Sequence, residues 1–296
     1  MSAAGPDRLK RAGGHAALIV LSFVYVMPFA WLVTTSLQPD EERSRVPPAF
    51  VPAPRAAAEG IERATGLHLA YEPTLTHYAR GLTRVPVLLF LRNTVLVCTL
   101  TVIGTVLSSS LVAYGFSVLR WRGRDVVFFL MLATMMLPGQ VTMVPVFLIW
   151  RRLGMVDSFA PLVVPAFLGS PFFIFLFRQF FLTIPRDLIE AARMDGAGEL
   201  RIWGRIVLPL ATPAIATVGL FSFLGAWNDF LHPLIYLADQ SKYTLSLGLA
   251  MFRTQYGSEY GQMMAVAALM VVPIIVLFFF AQKTFIQGIK TSGMKM

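Results

Sequence analysis

Six long stretches of this chain contain no Lys, Arg, Asp or Glu, and this spacing of charge constrains the fold more than any other feature. Each stretch has 20 to 28 residues, and about 20 helical residues are enough to cross the hydrocarbon core of a bilayer. The pattern therefore predicts six transmembrane helices. The stretches are 12–39, 93–119, 126–150, 158–177, 206–228 and 260–282.

The overall composition agrees with a membrane protein. Charged residues make up 14% of the chain and hydrophobic residues 56%, whereas a soluble domain usually carries about 25% charged residues. These values exclude a disordered chain and a typical soluble enzyme. A seventh charge-free run, 243–252, has only ten residues, and it predicts a re-entrant or interfacial segment rather than another span.

The charges between the predicted spans give the orientation. An even number of spans places both termini on one side of the membrane. The segments on that side hold 14 basic and 6 acidic residues, whereas those on the other side hold 11 and 10. Because cytoplasmic loops carry an excess of Lys and Arg, both termini are predicted to be cytoplasmic. Arg151 and Arg152, on the other side, are the local exception.

These boundaries predict five regions. They are a cytoplasmic tail at 1–14, a first transmembrane helix at 15–37, an extracytoplasmic loop at 38–88 with a short helix near 56–64, a core of five transmembrane helices at 89–283, and a cytoplasmic tail at 284–296. Pro138 and Gly139 are expected to interrupt the third span. Gly104, Ser108, Ser109 and Ala113 form a small-residue stripe on the second span, for which helix packing is favoured over lining a pore.

Several kinds of chemistry have no sequence signal here. There is no G-x-x-x-x-G-K-[ST] phosphate-binding loop, and the four histidines are scattered, so each is interpreted as a loop or interface residue. The six charge-free stretches by definition contain no ionisable carboxylate or amine. Ion-driven carriers, in contrast, usually place such groups at membrane depth. An ion-coupled carrier and a membrane-embedded enzyme are therefore both disfavoured, and a transporter of this kind would draw its energy from another polypeptide.

The segment between the fourth and fifth spans has the pattern of a short capped helix. Pro185 suits the first helical turn, where its missing N–H costs nothing. Asp187 lies at the positive end of the helix dipole, and Gly196 provides a stop. A second short helix is predicted from 199 to 207.

The surface of this predicted helix allows two interpretations. Glu190 can pair along the helix with Arg186 or Arg193, which is typical of a solvated interfacial helix. Ala191 and Ala192 also form a smooth patch that would let another surface approach closely. The residues alone do not separate these two possibilities.

The string EAARMDGAGELRIWGRIVLPL, residues 190–210, resembles the EAA loop of binding-protein-dependent ABC transporter permeases, most closely the carbohydrate-uptake branch with the maltose-type permeases. In that branch, E-A-A-x-x-D-G-A is followed by an aromatic residue and then I-x-L-P-L. Trp203 lies near the aromatic position, where Phe is usual. The resemblance extends from about residue 17 to the end and includes Asn93, Ala113-Tyr114, Trp227-Asn228-Asp229-Phe230, Tyr256-Gly257 and Gly288.

This resemblance implies an all-α integral membrane protein of six transmembrane helices with the type I ABC importer permease fold. It also implies four kinds of partner: a homologous permease subunit, two cytosolic ATPase subunits, an extracytoplasmic solute-binding protein and membrane lipid, with no role for nucleic acid. ATP and Mg²⁺ would be bound by the ATPase subunits, and no cofactor or metal is expected in this chain. The chain would be a transport subunit of the inner membrane, not an enzyme.

The resemblance further implies two sites. The coupling loop, 184–207, would seat a helix in a cleft of the ATPase through Glu190, Ala191, Ala192, Asp195 and Gly196. An outer loop with Tyr256, Gly257 and Tyr260 would face the binding protein, unless it is an ordinary surface loop. The implied solute is a sugar or sugar derivative, and the alternative is a non-sugar solute such as a polyol or glycerol phosphate ester. Nothing in the sequence identifies the residues of the substrate path.

Overall fold

The structure is a computed structural model that describes residues 6–43, 49–254 and 257–292. Within these ranges the chain divides into two compact units. The first comprises the described residues up to Val87 together with Leu249–Val272. The second comprises Leu88–Gly248 and the described residues from Pro273 onward.

Helices dominate both units. In chain order they are α1 Pro6–Leu37, α2 Asp40–Arg43, α3 Arg55–Thr65, α4 Thr76–Arg84, α5 Val87–Ser117, α6 Arg124–Ala133, α7 Gly139–Arg152, α8 Ala160–Val163, α9 Pro171–Phe181, α10 Arg186–Met194, α11 Glu199–Ile202, α12 Leu208–Leu210, α13 Thr212–Trp227, α14 Leu231–Tyr236, α15 Leu245–Ala250 and α16 Tyr260–Ser292. Three 3₁₀ segments, Thr134–Met136, Val164–Leu168 and Gln240–Lys242, and one π-helical segment, Trp203–Val207, adjoin them.

Two pairs of very short strands accompany the helices. β1 (Val51–Pro52) pairs in parallel with β2 (Ala70–Tyr71), and β3 (Arg253–Thr254) pairs antiparallel with β4 (Gly257–Ser258). Each strand has only two residues. The predicted all-α architecture therefore describes the membrane-spanning elements, and α3 is the short helix predicted near 56–64.

The first unit is held together where α1 ends. The Ser36 hydroxyl lies 2.8 Å from the Tyr78 hydroxyl of α4, and the Thr74 amide donates to the carbonyl of Leu37 at 2.8 Å. By contrast, the most apolar 18-residue window within Gly13–Leu37 has none of its residues buried within the chain. An isolated apolar helix of this length, tied down only at its end, is typical of a peripheral lipid-facing span.

Four helices are long and apolar enough to cross a membrane within the described residues, namely Gly13–Leu37, Val87–Ser117, Ala160–Phe181 and Tyr260–Phe280. Two further candidates are bent pairs, Arg124–Met136 with Gly139–Arg152 and Glu199–Leu210 with Thr212–Trp227. The chain therefore has six spans if each bent pair counts as one. The third and fifth charge-free stretches are bent, the third at the interruption expected from Pro138 and Gly139 and the fifth where no break was predicted.

The third span breaks by 98° where proline is expected to interrupt it. Leu137 is extended, with φ −76° and ψ 119°, because the ring of Pro138 disfavours the helical conformation of the residue before it. Pro138 is itself extended, with ψ 130°, and α7 begins at Gly139. The predicted interruption is thus a complete change of direction.

The fifth span bends by 83° between the 199–210 helices and α13. Ala211 at the corner has φ −90° and ψ 16°, which ends the preceding helix. Pro213 lies in the first turn of α13, where the absence of its N–H is tolerated. Thr212 Oγ1 donates to the carbonyl of Pro209 at 2.7 Å and satisfies a carbonyl that the break leaves free.

The small-residue stripe of α5 packs against the segment that leads into α9. A Cβ added at Gly104 would lie 2.6 Å from the Phe167 ring, so only glycine allows this approach. The Ser108 hydroxyl donates to the carbonyl of Ala166 at 2.8 Å, and Ser109 Oγ accepts from the Ser170 amide at 3.3 Å. The preference for packing over pore lining is therefore confirmed for these residues.

A clasp around Asp157 joins two loops of the second unit. Asp157 has a left-handed φ of 59°, and its carboxylate accepts from the amides of Ala238 and Asp239 at 3.0 and 2.9 Å and from Lys242 Nζ at 2.7 Å. The Asp239 amide, followed by Lys242, lowers the pKa of Asp157 to about 2. The clasp fixes the chain that follows α14.

Candidate functional site

The helix α10 is short and is defined by both of its ends. Pro185 precedes it with φ −57° and ψ 128°, and Asp187 occupies its first turn. Gly196 has φ +78°, a left-handed conformation that glycine adopts without a steric penalty. The Gly196 amide donates to Arg193 O at 3.0 Å and the Ala197 amide to Ala192 O at 2.9 Å. This pair of bonds is a Schellman motif, so the predicted stop at Gly196 is confirmed.

The two faces of α10 have different environments. Ile189 and Ala192 are 4% and 9% exposed and belong to the core of the second unit. Glu190, Ala191, Asp195 and Gly196 are exposed. The smooth patch predicted from both alanines is therefore reduced to Ala191, since Ala192 packs against its own chain. Of the five predicted residues in this loop, the structure brings four to the surface.

A three-residue network holds α10 against α5. The Arg193 guanidinium donates to Glu199 at 2.9 and 3.2 Å, and the Tyr114 hydroxyl donates to the same carboxylate. The hydrogen bond from Arg193 lowers the pKa of Glu199, and the same bond raises the pKa of Arg193. We call this network the Glu199 anchor.

The Glu199 anchor differs from the pairing predicted within the helix. Arg193 is engaged by Glu199, six residues further on, and not by Glu190. Sequence spacing predicts pairs three or four residues apart on a helix, whereas this pair forms across the glycine turn. The only signal in the sequence was the Ala113-Tyr114 pair, whose partner could not be read from spacing.

Apolar side chains surround the exposed face of α10. Met194 is 88% exposed and Leu200 is 71% exposed. Leu188 is also exposed. A cavity of about 500 Å³ adjoins α10 and is lined by Trp121, in the turn that follows α5, and by Glu190. An acidic residue amid exposed apolar groups and a recess is the composition of a docking surface.

The predicted outer loop is only partly described. Tyr256 lies outside the described residues. Gly257 begins β4, and Tyr260 begins α16 with its ring 54% exposed. Within unit one, Arg84 of α4 pairs with Glu259 at 3.4 Å, so the residue next to Tyr260 is held in place.

A second cavity, of about 620 Å³, was not predicted. It is lined by residues of α5, α7, α8, α9, α13 and α14 and of the 3₁₀ segment Val164–Leu168. Asp229 and His232 lie in its wall, 2.9 Å apart between Oδ2 and Nδ1. The hydrogen bond that His232 donates to Asp229 raises the pKa of His232. The sequence marked Asp229 only as part of the Trp227-to-Phe230 motif and gave His232 no role. In the described part of the chain, no group of three His, Cys, Asp or Glu side chains is arranged to hold a metal ion.

Comparison with solved structures supports the fold. A bacterial ABC transporter involved in the import of the acidic polysaccharide alginate contains a chain that superposes with a TM-score of 0.79 at 23% identity, covering 96% of this chain and 99% of that one. A chain of a bacterial alginate ABC transporter in complex with an alginate pentasaccharide-bound periplasmic protein gives a TM-score of 0.62 at 15% identity, covering 93% and 94%.

Sequence comparison adds closer relatives. The arabinooligosaccharide transport system permease protein AraQ of Bacillus subtilis is 33% identical over 94% of this chain and 93% of its own length. The diacetylchitobiose uptake system permease protein NgcG of Streptomyces coelicolor is 30% identical over 94% and 86%. The sn-glycerol-3-phosphate transport system permease protein UgpE of Rhizobium meliloti is 31% identical over 93% and 94%. Residues 94–291 match the family model of the binding-protein-dependent transport system inner membrane component, and this multi-pass membrane chain, a transport subunit, belongs to that family.

Proposed function

We propose that this chain is one of two permease subunits of an ATP-driven importer in the cytoplasmic membrane, and that it translocates a sugar or sugar derivative. Two of the relatives named above are permeases for arabinooligosaccharides and diacetylchitobiose. In the proposed assembly a solute-binding protein delivers the solute from outside. A homologous permease completes the pathway, and two cytosolic ATPase subunits bind ATP and Mg²⁺.

The arrangement of α10 is the observation that carries this proposal. A nine-residue helix is too short to be stable alone in water, yet α10 is fixed on one side by its buried face and by the Glu199 anchor. Its other side presents Glu190, Ala191 and Met194 to a partner. We propose that this side docks in a cleft of the ATPase, with Asp195 and Gly196 shaping its end. We call α10 the coupling helix.

A fixed coupling helix can transmit motion as a rigid body. When ATP closes the ATPase dimer, its clefts move together, and a helix seated in each cleft moves with them. Rigid-body displacement of packed elements is a common basis of switching between two states. We propose that this displacement converts the permease pair from inward-facing to outward-facing.

The proposed topology places both termini, the turn at 118–123 and the coupling helix in the cytoplasm. Residues 38–88 and the outer loop with Tyr256, Gly257 and Tyr260 then face the binding protein. The positive-inside distribution of Lys and Arg supports this orientation.

Reporter fusions test the orientation. A reporter active only in the cytoplasm is expected to be active when fused after Met296 or at Gly198, and silent when fused near Gly60 or Gly257. The charge imbalance between the two sides is the physical reason. Activity at Gly60 together with silence at Gly198 would reverse the topology.

Reconstitution tests the division of labour. The purified chain lacks a phosphate-binding loop, so it is expected to hydrolyse no ATP by itself. Proteoliposomes containing both permeases and the ATPases, supplied with the loaded binding protein, are expected to accumulate solute only with ATP and Mg²⁺. Uptake that continues without ATP, or that follows an imposed ion gradient, would contradict the proposal.

A phosphate ester is the second candidate solute, because the Rhizobium meliloti relative is named for sn-glycerol-3-phosphate. Calorimetric titration of the cognate binding protein with maltose, diacetylchitobiose and sn-glycerol-3-phosphate separates the two classes. Binding of the phosphate ester alone would favour the second candidate.

A further inference from the structure

The cavity of about 620 Å³ in the second unit has the size of a small-molecule site. Its wall includes the hydroxyl residues Thr101, Thr105 and Ser222 and the amide of Gln140, together with aromatic rings. Thr101 Oγ1 is buried and has no hydrogen-bond partner among the described residues. Since buried polar groups are normally paired, this hydroxyl is available to a bound molecule.

One side of the cavity combines a flat apolar surface with a polar edge. The His232 ring stacks on Tyr236 with an interplanar angle of 9°, and Tyr236 stacks on Phe147 at 22°. Tyr236 is itself buried between these neighbours, so the exposed ring face is that of His232. The Asp229 carboxylate accepts a hydrogen bond from His232 Nδ1, and this bond orients the imidazole. Within the described part of the chain Nε2 has no partner, so it remains able to bond a ligand. An aromatic platform beside paired donors and acceptors matches a sugar ring, which has an apolar face and a rim of hydroxyls.

The charge of the cavity limits the solute further. Of the residues that line it, only Asp229 and His232 are ionisable at physiological pH, and neither Lys nor Arg is among them. With His232 protonated the pair is neutral, and with His232 neutral the pair carries one negative charge. The wall is therefore never positive in either state. A phosphate or a uronate would meet a carboxylate and find no cationic partner, whereas such anions are usually bound by Arg or Lys.

We infer that this cavity is a binding station on the translocation path for an uncharged glycoside, with the exposed His232 ring, backed by Tyr236, as the platform and the polar atoms of the Asp229–His232 pair as the hydroxyl-binding edge. This inference rests on the proposed function and narrows its solute class. It assigns Asp229 and His232 to solute contact and excludes anionic sugars and phosphate esters as the solutes of this chain.

The first test uses the complete transporter in proteoliposomes. ATP-dependent uptake is measured for maltose, N,N′-diacetylchitobiose and arabinotriose as uncharged probes, and for sn-glycerol-3-phosphate and a mannuronate trisaccharide as anions. Uptake is expected among the uncharged probes only. ATP-dependent uptake of either anion would overturn the inference while leaving the proposed function intact.

The second test measures solute transported per ATP hydrolysed, using the uncharged probe that the wild type takes up. Asp229→Asn and His232→Phe are each expected to lower this ratio about tenfold, equivalent to about 1.4 kcal/mol, with ATP hydrolysis still stimulated by the loaded binding protein. His232→Phe keeps the stacking on Tyr236, and the His232 side chain is 58% exposed, so folding is preserved. A general loss of structure would lower both activities together.

Asp239→Asn is the matched control. Asp239 lies three residues beyond Tyr236, and its carboxylate faces the Ser241 amide and Lys242 rather than the cavity. The Asp239→Asn variant is expected to transport as much solute per ATP hydrolysed as the wild type. If both Asp229→Asn and His232→Phe keep the wild-type ratio of solute transported to ATP hydrolysed, the inference is overturned. If the wild-type transporter takes up solute without ATP, the proposed function is overturned instead.

Discussion

Replacement of Glu190 by alanine is expected to reduce solute uptake at least tenfold while leaving the amount of permease in the membrane unchanged. The Glu190 side chain is exposed on the coupling helix, and its neighbour Arg193 is engaged by Glu199. Its charge is therefore free to pair with a basic group in the ATPase cleft. Loss of one partner from a buried interfacial charge pair costs about 2–5 kcal/mol, and about 1.4 kcal/mol corresponds to a tenfold change in binding.

Uptake and co-purification of the ATPase are the two measurements for Glu190→Ala. Glu72→Ala is the matched control, because Glu72 is an exposed carboxylate on the extracytoplasmic side in the proposed topology. It should keep normal uptake. Ala191→Phe should also block docking by steric exclusion, since Ala191 is exposed on the same helix. Normal uptake together with normal co-purification for both Glu190→Ala and Ala191→Phe would make this helix an ordinary interfacial element.

Replacement of Glu199 by glutamine is expected to loosen the coupling helix itself. The substitution keeps the size of the side chain and removes the charge that Arg193 and Tyr114 bind. A hydrogen bond to a charged group contributes about 1.5–3 kcal/mol, and partial exposure of both Arg193 and Glu199 favours the lower end. About 1.5 kcal/mol corresponds to roughly tenfold more frequent local opening. Hydrogen exchange of the amides in 186–198 measures this opening, and uptake should fall several-fold.

Substitutions of Glu190 and of Glu199 serve as controls for each other. In the isolated permease Glu190→Gln should leave the exchange of the coupling helix unchanged, whereas Glu199→Gln should accelerate it. Tyr114→Phe removes only the hydroxyl and should give an intermediate acceleration. Wild-type exchange in both Glu199→Gln and Tyr114→Phe would show that the Glu199 anchor does not hold the helix.

The same anchor has a defined pH dependence. Arg193 lowers the pKa of Glu199 in the folded chain below its ordinary value of 4.5. A lowered pKa in the folded state stabilises the fold fully above the unfolded value, and this contribution is lost as the pH falls through the folded value. Protection of the coupling helix, corrected for the intrinsic exchange rate, should therefore be constant near neutral pH and decline only in acid.

Charge spacing located the long apolar segments of the chain, because a charged side chain is costly within the hydrocarbon core. It could not predict the shape of the third and fifth spans. Pro138 and Gly139 indicated an interruption of the third span and none was predicted in the fifth, and the bends of 98° and 83° depend on how the flanking helices pack. Local sequence limits the backbone angles of a residue, whereas long-range contacts choose among the angles that remain.

The same difference between local sequence and long-range contacts applies to the coupling helix and to the cavity. The ends of the coupling helix were predictable, since Pro185, Asp187 and Gly196 act through local backbone chemistry. The burial of Ala192 was not predictable, because either Ala191 or Ala192 could have faced the core. Tyr114 and Glu199 are 85 positions apart, and the residues that line the cavity come from six helices, so no spacing rule connects them.

The sharp corner in the third span restricts what can surround the backbone at that point. Hydrocarbon cannot hydrogen-bond to a backbone that leaves the helical conformation, so such a corner is tolerated at membrane depth only against protein or water. Gly139 and Gln140, immediately after the corner, line the larger cavity. The corner therefore has to lie against protein or water rather than lipid, and the cavity that Gly139 and Gln140 line is such a place. A change of acyl-chain length should accordingly matter more to the lipid-covered α1 than to the segment around Gly139.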